Sequence, residues 1–287
     1  MSRLRVLCLA LFVVCVAGCA KPPAPEPAVV WDKAPVFDDA FWKQWGDGQA
    51  ELSGYDLTTP RYGALRHGTA VSIVVTETFS NSDRVKADPG RHPKKDEFPV
   101  LKLNLMQDFS TGIYDYNLMT SAFLALTSVN LRPPGAPAKV SFSAQEWCGH
   151  AYAQLLFDSR YARYTAHSYF DGEADSAASL AIPNDALSED ALLLWARGFA
   201  APVLAAGDSA VVPVSGALRQ ARLSHQRSEV APAHVARSAA SESITVPAGT
   251  FACDVLTVRV EGGRTWTFWV EAAAPRRVVR WTCSDGE

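Results

Sequence analysis

Apolar and polar positions along most of this chain alternate with period two, the pattern of strands with one face buried and one face wet. In 69–79, Val71, Ile73 and Val75 alternate with Ser72, Val74 and Thr76. In 100–106, Leu101, Leu103 and Leu105 alternate with Lys102, Asn104 and Met106. In 139–145, Val140, Phe142 and Ala144 alternate with Ser141, Ser143 and Gln145. Towards the C-terminus, Trp266, Phe268 and Val270 alternate with Thr265, Thr267 and Trp269, and Val279, Trp281 and Cys283 with Arg280 and Thr282. Segments 112–126, 151–157 and 160–171, rich in Tyr and Phe, also read as strands.

Turn residues punctuate these runs. Gly262-Gly263, Val246-Pro247-Ala248-Gly249-Thr250 and Gly112 supply the fixed φ of proline and the positive φ open to glycine. Short turns between successive strands predict an antiparallel meander, ending in three strands at about 251–260, 264–270 and 276–283. Two helices interrupt it. One runs from Asp38 as cap to Trp45, with Gly46 as stop. The other covers about 188–197, with Ser188 as cap, Glu189 and Asp190 in the first turn and Gly198 after it. Residues 80–97 form a long polar loop, best read as a solvated connection. The fold class expected is mainly β: a curved antiparallel sheet, an unclosed barrel, with one or two short helices.

The first residues do not fit this rhythm. Arg3 and Arg5 precede an uncharged apolar run, Val6 to Val16, too short to span a bilayer as a helix. It has the form of the core of a signal peptide, 1–18. The run ends in Val16-Ala17-Gly18-Cys19, which resembles a bacterial lipobox, where the cysteine thiol takes a diacylglycerol and the new N-terminus is acylated. Such chains make anchoring stable, at about 0.8 kcal/mol per buried CH₂. Residues 19–30 then carry the lipidated Cys19 and a tether with four prolines, a semi-rigid spacer. Residue 20 is Ala rather than Asp, which favours the outer membrane, facing the periplasm. Residues 31–287 form a β-rich domain, either one sheet system or two stacked β domains with a break near 175–210.

Charge narrows the partners. Removing Arg3 and Arg5 from the 27 Lys and Arg leaves 25 basic against 30 acidic residues, a formal charge of −5. That is the wrong sign for a nucleic-acid binder. Of six cysteines, Cys148, Cys253 and Cys283 lie beyond the anchor. In the meander Cys253 and Cys283 fall at opposite ends, roughly 20 Å apart at about 3.3 Å per residue, too far for a bridge. Either Cys148 pairs with one of them, or all three are small buried thiols.

Gly54-Tyr55-Asp56-Leu57, Pro60-Arg61-Tyr62-Gly63, Arg66-His67-Gly68-Thr69-Ala70 and Val75-Thr76-Glu77, with Ser143 to Gly149, resemble an uncharacterised family of exported bacterial lipoproteins. Val246 to Phe251 and the strand Trp266–Val270 are similar to a second exported family, which in turn resembles the lipoprotein carriers of the LolA and LolB type. That likeness implies a curved antiparallel sheet with helices over its mouth. Neither family carries functional residues over to this chain.

The chemistry-bearing candidates are few. On a strand, Glu146, Cys148 and His150 would share one face, and carboxylate, thiolate and imidazole are sound zinc ligands; Cys148 beside His150 could also be an activated nucleophile. The alternative is a core cysteine beside a satisfied histidine, with Gly149 marking a bulge. No HExxH, P-loop or nucleophile elbow occurs, and no cofactor is implied. Eight tryptophans allow two readings: plain core packing, the favoured one, or Trp147, Trp266, Phe268 and Trp281 on a concave face, holding an acyl chain or apolar peptide. The function expected is a membrane-anchored envelope lipoprotein with a binding or structural role, its partners an apolar ligand or an envelope protein. The alternative is an enzyme or metal site using Cys148 and His150.

Overall fold

The computed structural model describes residues 33–287. The signal peptide, Cys19, the Pro-rich tether and Trp31 lie outside the described residues. The fold is mainly β, with a curved antiparallel sheet that forms an unclosed half-barrel and a few short helices.

The first sheet is an eight-stranded meander in sequence order. Its strands are β1 (Glu51–Arg61), β2 (Ala64–Ser80), β3 (Glu97–Ser110), β4 (Asp115–Ala125), β5 (Pro137–Glu146), β6 (Gly149–Phe157), β7 (Tyr161–Ser168) and β8 (Ser176–Ala181). The second sheet contains β9 (Leu187–Ser188), β10 (Ser209–Ser215), β11 (Val230–Arg237), β12 (Glu242–Val246), β13 (Gly249–Val260), β14 (Thr265–Glu271) and β15 (Val278–Cys283). Its order is β15-β14-β13-β11-β10-β9, with β12 pairing with β13 beside that path. β9 and β10 are parallel; the other pairs are antiparallel.

One hydrophobic cluster unites the inner faces of both sheets. Leu101, Leu103, Val140, Phe142 and Leu155 meet Val214, Val235, Val258, Phe268 and Val270 in it. The period-two reading finds the inner face of β3, β5 and β14 directly. On β2 it picks the wrong face. Ala70, Ser72 and Val74 are buried, whereas Val71, Ile73 and Val75 are half-exposed. On the concave side of a curved sheet side chains converge, so small residues fit there and larger ones do not. On β15 a register shift against Val270 turns Val278 inward in place of Val279.

Helix α1 (Asp39–Trp45) has the expected caps: Asp38 accepts the amide of Phe41, and Gly46 follows. It lays Phe41 and Trp45 against Phe199. The second expected helix divides into a 3-10 turn at Glu189–Ala191, capped by Ser188, and α2 (Leu192–Ala196). Leu192, Leu194 and Trp195 are buried, so α2 is a core element and not a surface lid. Helix α3 (Leu218–Ser224) follows β10.

The loop 80–97 is more than a solvated connection. Arg84 is 2 % exposed and donates to the carbonyls of Asn81, Ala138 and Phe157 and to Asp158. It lies near a second apolar cluster, Phe79, Phe98, Val100, Phe123, Ala125 and Ala138. Buried backbone acceptors need donors, and a five-donor guanidinium supplies several at once.

Candidate functional site

The expectation that Glu146, Cys148 and His150 share one strand face is corrected by the register. Glu146 pairs with Gly149 and Gln145 with His150, so Trp147-Cys148 is the two-residue turn between β5 and β6. Gly149 is not a bulge. A Cβ there would lie 2.4 Å from the ring of Tyr169, so glycine makes room for that ring. Glu146 points inward, is buried, and accepts from Arg222 of α3 at 3.0 Å. Cys148 and His150 are exposed, which also corrects the reading of a core cysteine beside a satisfied histidine. A shallow depression beside His150 contains His167, whose Nδ1 lies 3.0 Å from Asp175. Among the described residues no three His, Cys, Asp or Glu side chains gather as metal ligands do.

Cys148, Cys253 and Cys283 are all free thiols. Cys253 pairs with Glu271, and Cys283 with Trp266, five residues along the same strand. The two thiols therefore stand at opposite ends of the meander. Burial pushes the Cys283 thiol up to about 12.

Of the four aromatic candidates, Trp266, Phe268 and Trp281 come together and Trp147 does not. The three line a cavity of about 50 Å³ between the sheets, with Leu105, Gln107 and Leu192. That volume admits a water molecule or two; drug-sized ligands occupy about 300 Å³ or more. The inner face is filled by its own side chains. Trp147 is exposed on the β5–β6 turn.

The polar groups around this cavity tie the two sheets together. Glu189 accepts from Trp266 Nε1 at 2.6 Å, from Arg264 Nε at 3.0 Å and from the Ala217 amide at 3.0 Å. Its neighbour Asp190 accepts the Leu218 amide at 3.1 Å. The two carboxylates thus receive the orphan amides at the start of α3. Burial raises the Asp190 carboxyl to about 7, against the Leu218 bond, which lowers it. Glu287 accepts from Gln107, Trp281 and Arg219, and Arg219 also donates to Thr59 on β1. Tyr55 of β1 donates to the Val278 carbonyl and packs edge-on against Trp281.

Sequence reasoning missed β1, β8 through β12 and α3, and with them Arg219 and Arg222. A basic residue three positions from another at helical spacing was the available signal, but nothing local says that both are buried. No helix among the described residues is long and apolar enough to cross a membrane. No family model, curated protein or solved structure matches the chain.

Proposed function

We propose that this chain is an envelope lipoprotein, tethered through Cys19 to the periplasmic face of the outer membrane, with a binding or structural role exercised by its outer surface. The sequence Val16-Ala17-Gly18-Cys19, followed by the proline tether, carries the anchored part of this reading. The filled inter-sheet space supports the outer-surface part. A cavity of about 50 Å³ leaves no room for an acyl chain unless the sheets part. The enzymatic alternative has little to stand on: Cys148 lies in an exposed turn with His150 exposed on the strand after it, and the buried carboxylate of the segment, Glu146, is engaged by Arg222.

Expression with the native N-terminus tests both parts. Mass spectrometry should find an acylated Cys19 at the new N-terminus, and Cys19→Ser should release the protein from the membrane fraction. Native mass spectrometry of the purified protein should show the bare polypeptide mass plus the anchor. An unmodified Cys19 would refute the anchor. A further stoichiometric apolar mass would refute the outer-surface role and favour a carrier.

A further inference from the structure

The meander places every second turn of the first sheet on the same rim. The turns β1–β2, β3–β4, β5–β6 and β7–β8 lie together, roughly 10 Å apart since each is two strands from the next. Each presents a large apolar side chain to solvent. Tyr62 (57 % exposed) stands on the first, Ile113 (80 %) on the second, Trp147 (74 %) on the third and Tyr169 (74 %) on the fourth. The other rim exposes less: Val85 (44 %), Leu131 (50 %) and Tyr161 (41 %) are each better covered, and its loops also carry the buried Arg84, its Asp158 partner and Arg132.

The local chemistry holds these tips outward. Tyr62 takes positive φ ahead of Gly63, which closes a tight turn and leaves the ring outside the ladder. Trp147 has no room inside, because Glu146 turns inward beside it to meet Arg222 and Tyr169 crosses Gly149. Tyr114 stacks at 6.2 Å on the Trp147 ring and donates its hydroxyl to Tyr62, which links three of the tips into one array.

We propose that this rim is a membrane-contact edge that seats in the interfacial region of the lipid bilayer, the same bilayer that holds the anchor. Apolar tips roughly 10 Å apart along a single rim fall short of the broad surface that a folded protein partner needs. A fluid interface accepts them one by one. Tyr and Trp combine an apolar ring with a polar edge, the property that places them at membrane interfaces. Arg61 and Arg66, just behind the tips, are spent on Tyr116 and on the carbonyls of Thr111 and Arg61, so no free basic cluster stands there. The contact is therefore apolar rather than electrostatic, and it forms on zwitterionic lipid.

The length of the tether allows it. Lys33, where the described chain begins, bonds to Val203 at the far rim, near the start of β1. The eleven residues of β1 span about 36 Å. The fourteen steps from Cys19 to Lys33 would reach about 43 Å at the 3.1 Å per residue of a Pro-rich extended chain. The domain can lie over with its tips on its own membrane.

This inference rests on the anchored reading, and one experiment separates the two. Cys148, exposed on the central tip, takes an environment-sensitive fluorophore while Cys253 and Cys283 stay buried. The full lipidated chain carrying this label is reconstituted into phosphatidylcholine vesicles. The expected result is blue-shifted emission, quenched by lipids with a nitroxide near the headgroup and little changed by added salt. Ile113→Ser combined with Tyr169→Ser, on the flanking tips, should reverse the shift with an unchanged circular dichroism spectrum. A chain that floats with the vesicles while its label reports water overturns the rim contact and leaves the anchor standing. If the chain expressed with its native N-terminus proves unacylated at Cys19 and its label still shifts when vesicles are added, the anchor is overturned and the rim contact is supported. A label exposed on vesicles but protected in intact cells overturns the lipid contact in favour of a protein partner.

Discussion

Glu189 accepts the indole N–H of Trp266 at 2.6 Å, and the same carboxylate oxygen takes Arg264 at 3.0 Å. Glu189 follows the short parallel strand β9, whereas Trp266 and Arg264 belong to β14 and the turn before it, so this one side chain closes the second sheet across the start of α3. It does so beside the cavity of about 50 Å³ between the sheets.

Replacing Glu189 by Gln should therefore cost about 1–3 kcal/mol, because Arg264 loses one of two carboxylates and keeps Asp285 at 3.1 Å. Trp266→Phe should cost about 1–3 kcal/mol, since Arg264 and the Ala217 amide still hold the carboxylate. Combined, the two changes should cost less than their sum, because they share one network. Urea unfolding of the three variants checks this; strict additivity would show that the bond is not coupled to the ion pair.

Asp190 gives a pH dependence whose sign follows from its raised carboxyl, at about 7 against 3.8. The folded state holds the proton more tightly than the unfolded state. The stability this confers is fully present below about pH 3.8 and is lost as pH rises through about 7. Asp190→Asn can still accept the Leu218 amide and never ionises. It should remove that decline and make the protein more stable than the parent at pH 8, by roughly 2–4 kcal/mol. Denaturation midpoints between pH 4 and 8 should converge at the acid end; a parallel offset at every pH would refute the assignment.

Thiol reactivity should divide the described cysteines in two. Cys148 is exposed, while Cys253 and Cys283 are buried and burial raises both thiols. A maleimide should modify Cys148 within minutes in the native protein and the other two only after unfolding. Cys148→Ser should leave stability within about 0.5 kcal/mol, as for other exposed positions. Native labelling of two or three of these cysteines would contradict the buried placement.

Gly68 on β2 faces the backbone of β3 so closely that a Cβ would stand 2.0 Å from the Asp108 carbonyl oxygen and 2.8 Å from Phe109 Cβ. Backbone cannot yield as a flexible side chain can. Gly68→Ala should push β2 and β3 apart locally and destabilise by about 1–3 kcal/mol, whereas Gly54→Ala on β1, with open space around it, should change little. Thermal melts of the two variants provide the comparison.

What the sequence by itself determined is local. Period-two alternation and turn residues identify β3, β5, β13, β14 and the antiparallel meander, because strand pleat and turn dihedrals are properties of a few neighbouring residues. Asp38, Ser188, Gly46 and Gly198 mark the helix ends for the same reason. The separation of Cys253 from Cys283 also follows from strand length and direction alone. Tertiary structure decided the rest. Whether Ala70 or Val71 faces inward depends on the curvature of the sheet, which no window of residues contains. Glu146, Cys148 and His150 lie in one short segment, but a two-residue turn sends the carboxylate in and leaves the thiol and imidazole out. Glu189 finds Trp266 and Arg219 finds Thr59 across gaps of 77 and 160 residues. The apolar rim exists only because a meander brings alternate turns to one edge. Those relations are set by which surfaces pack together, and burial is a property of the assembled sheets rather than of any residue within them.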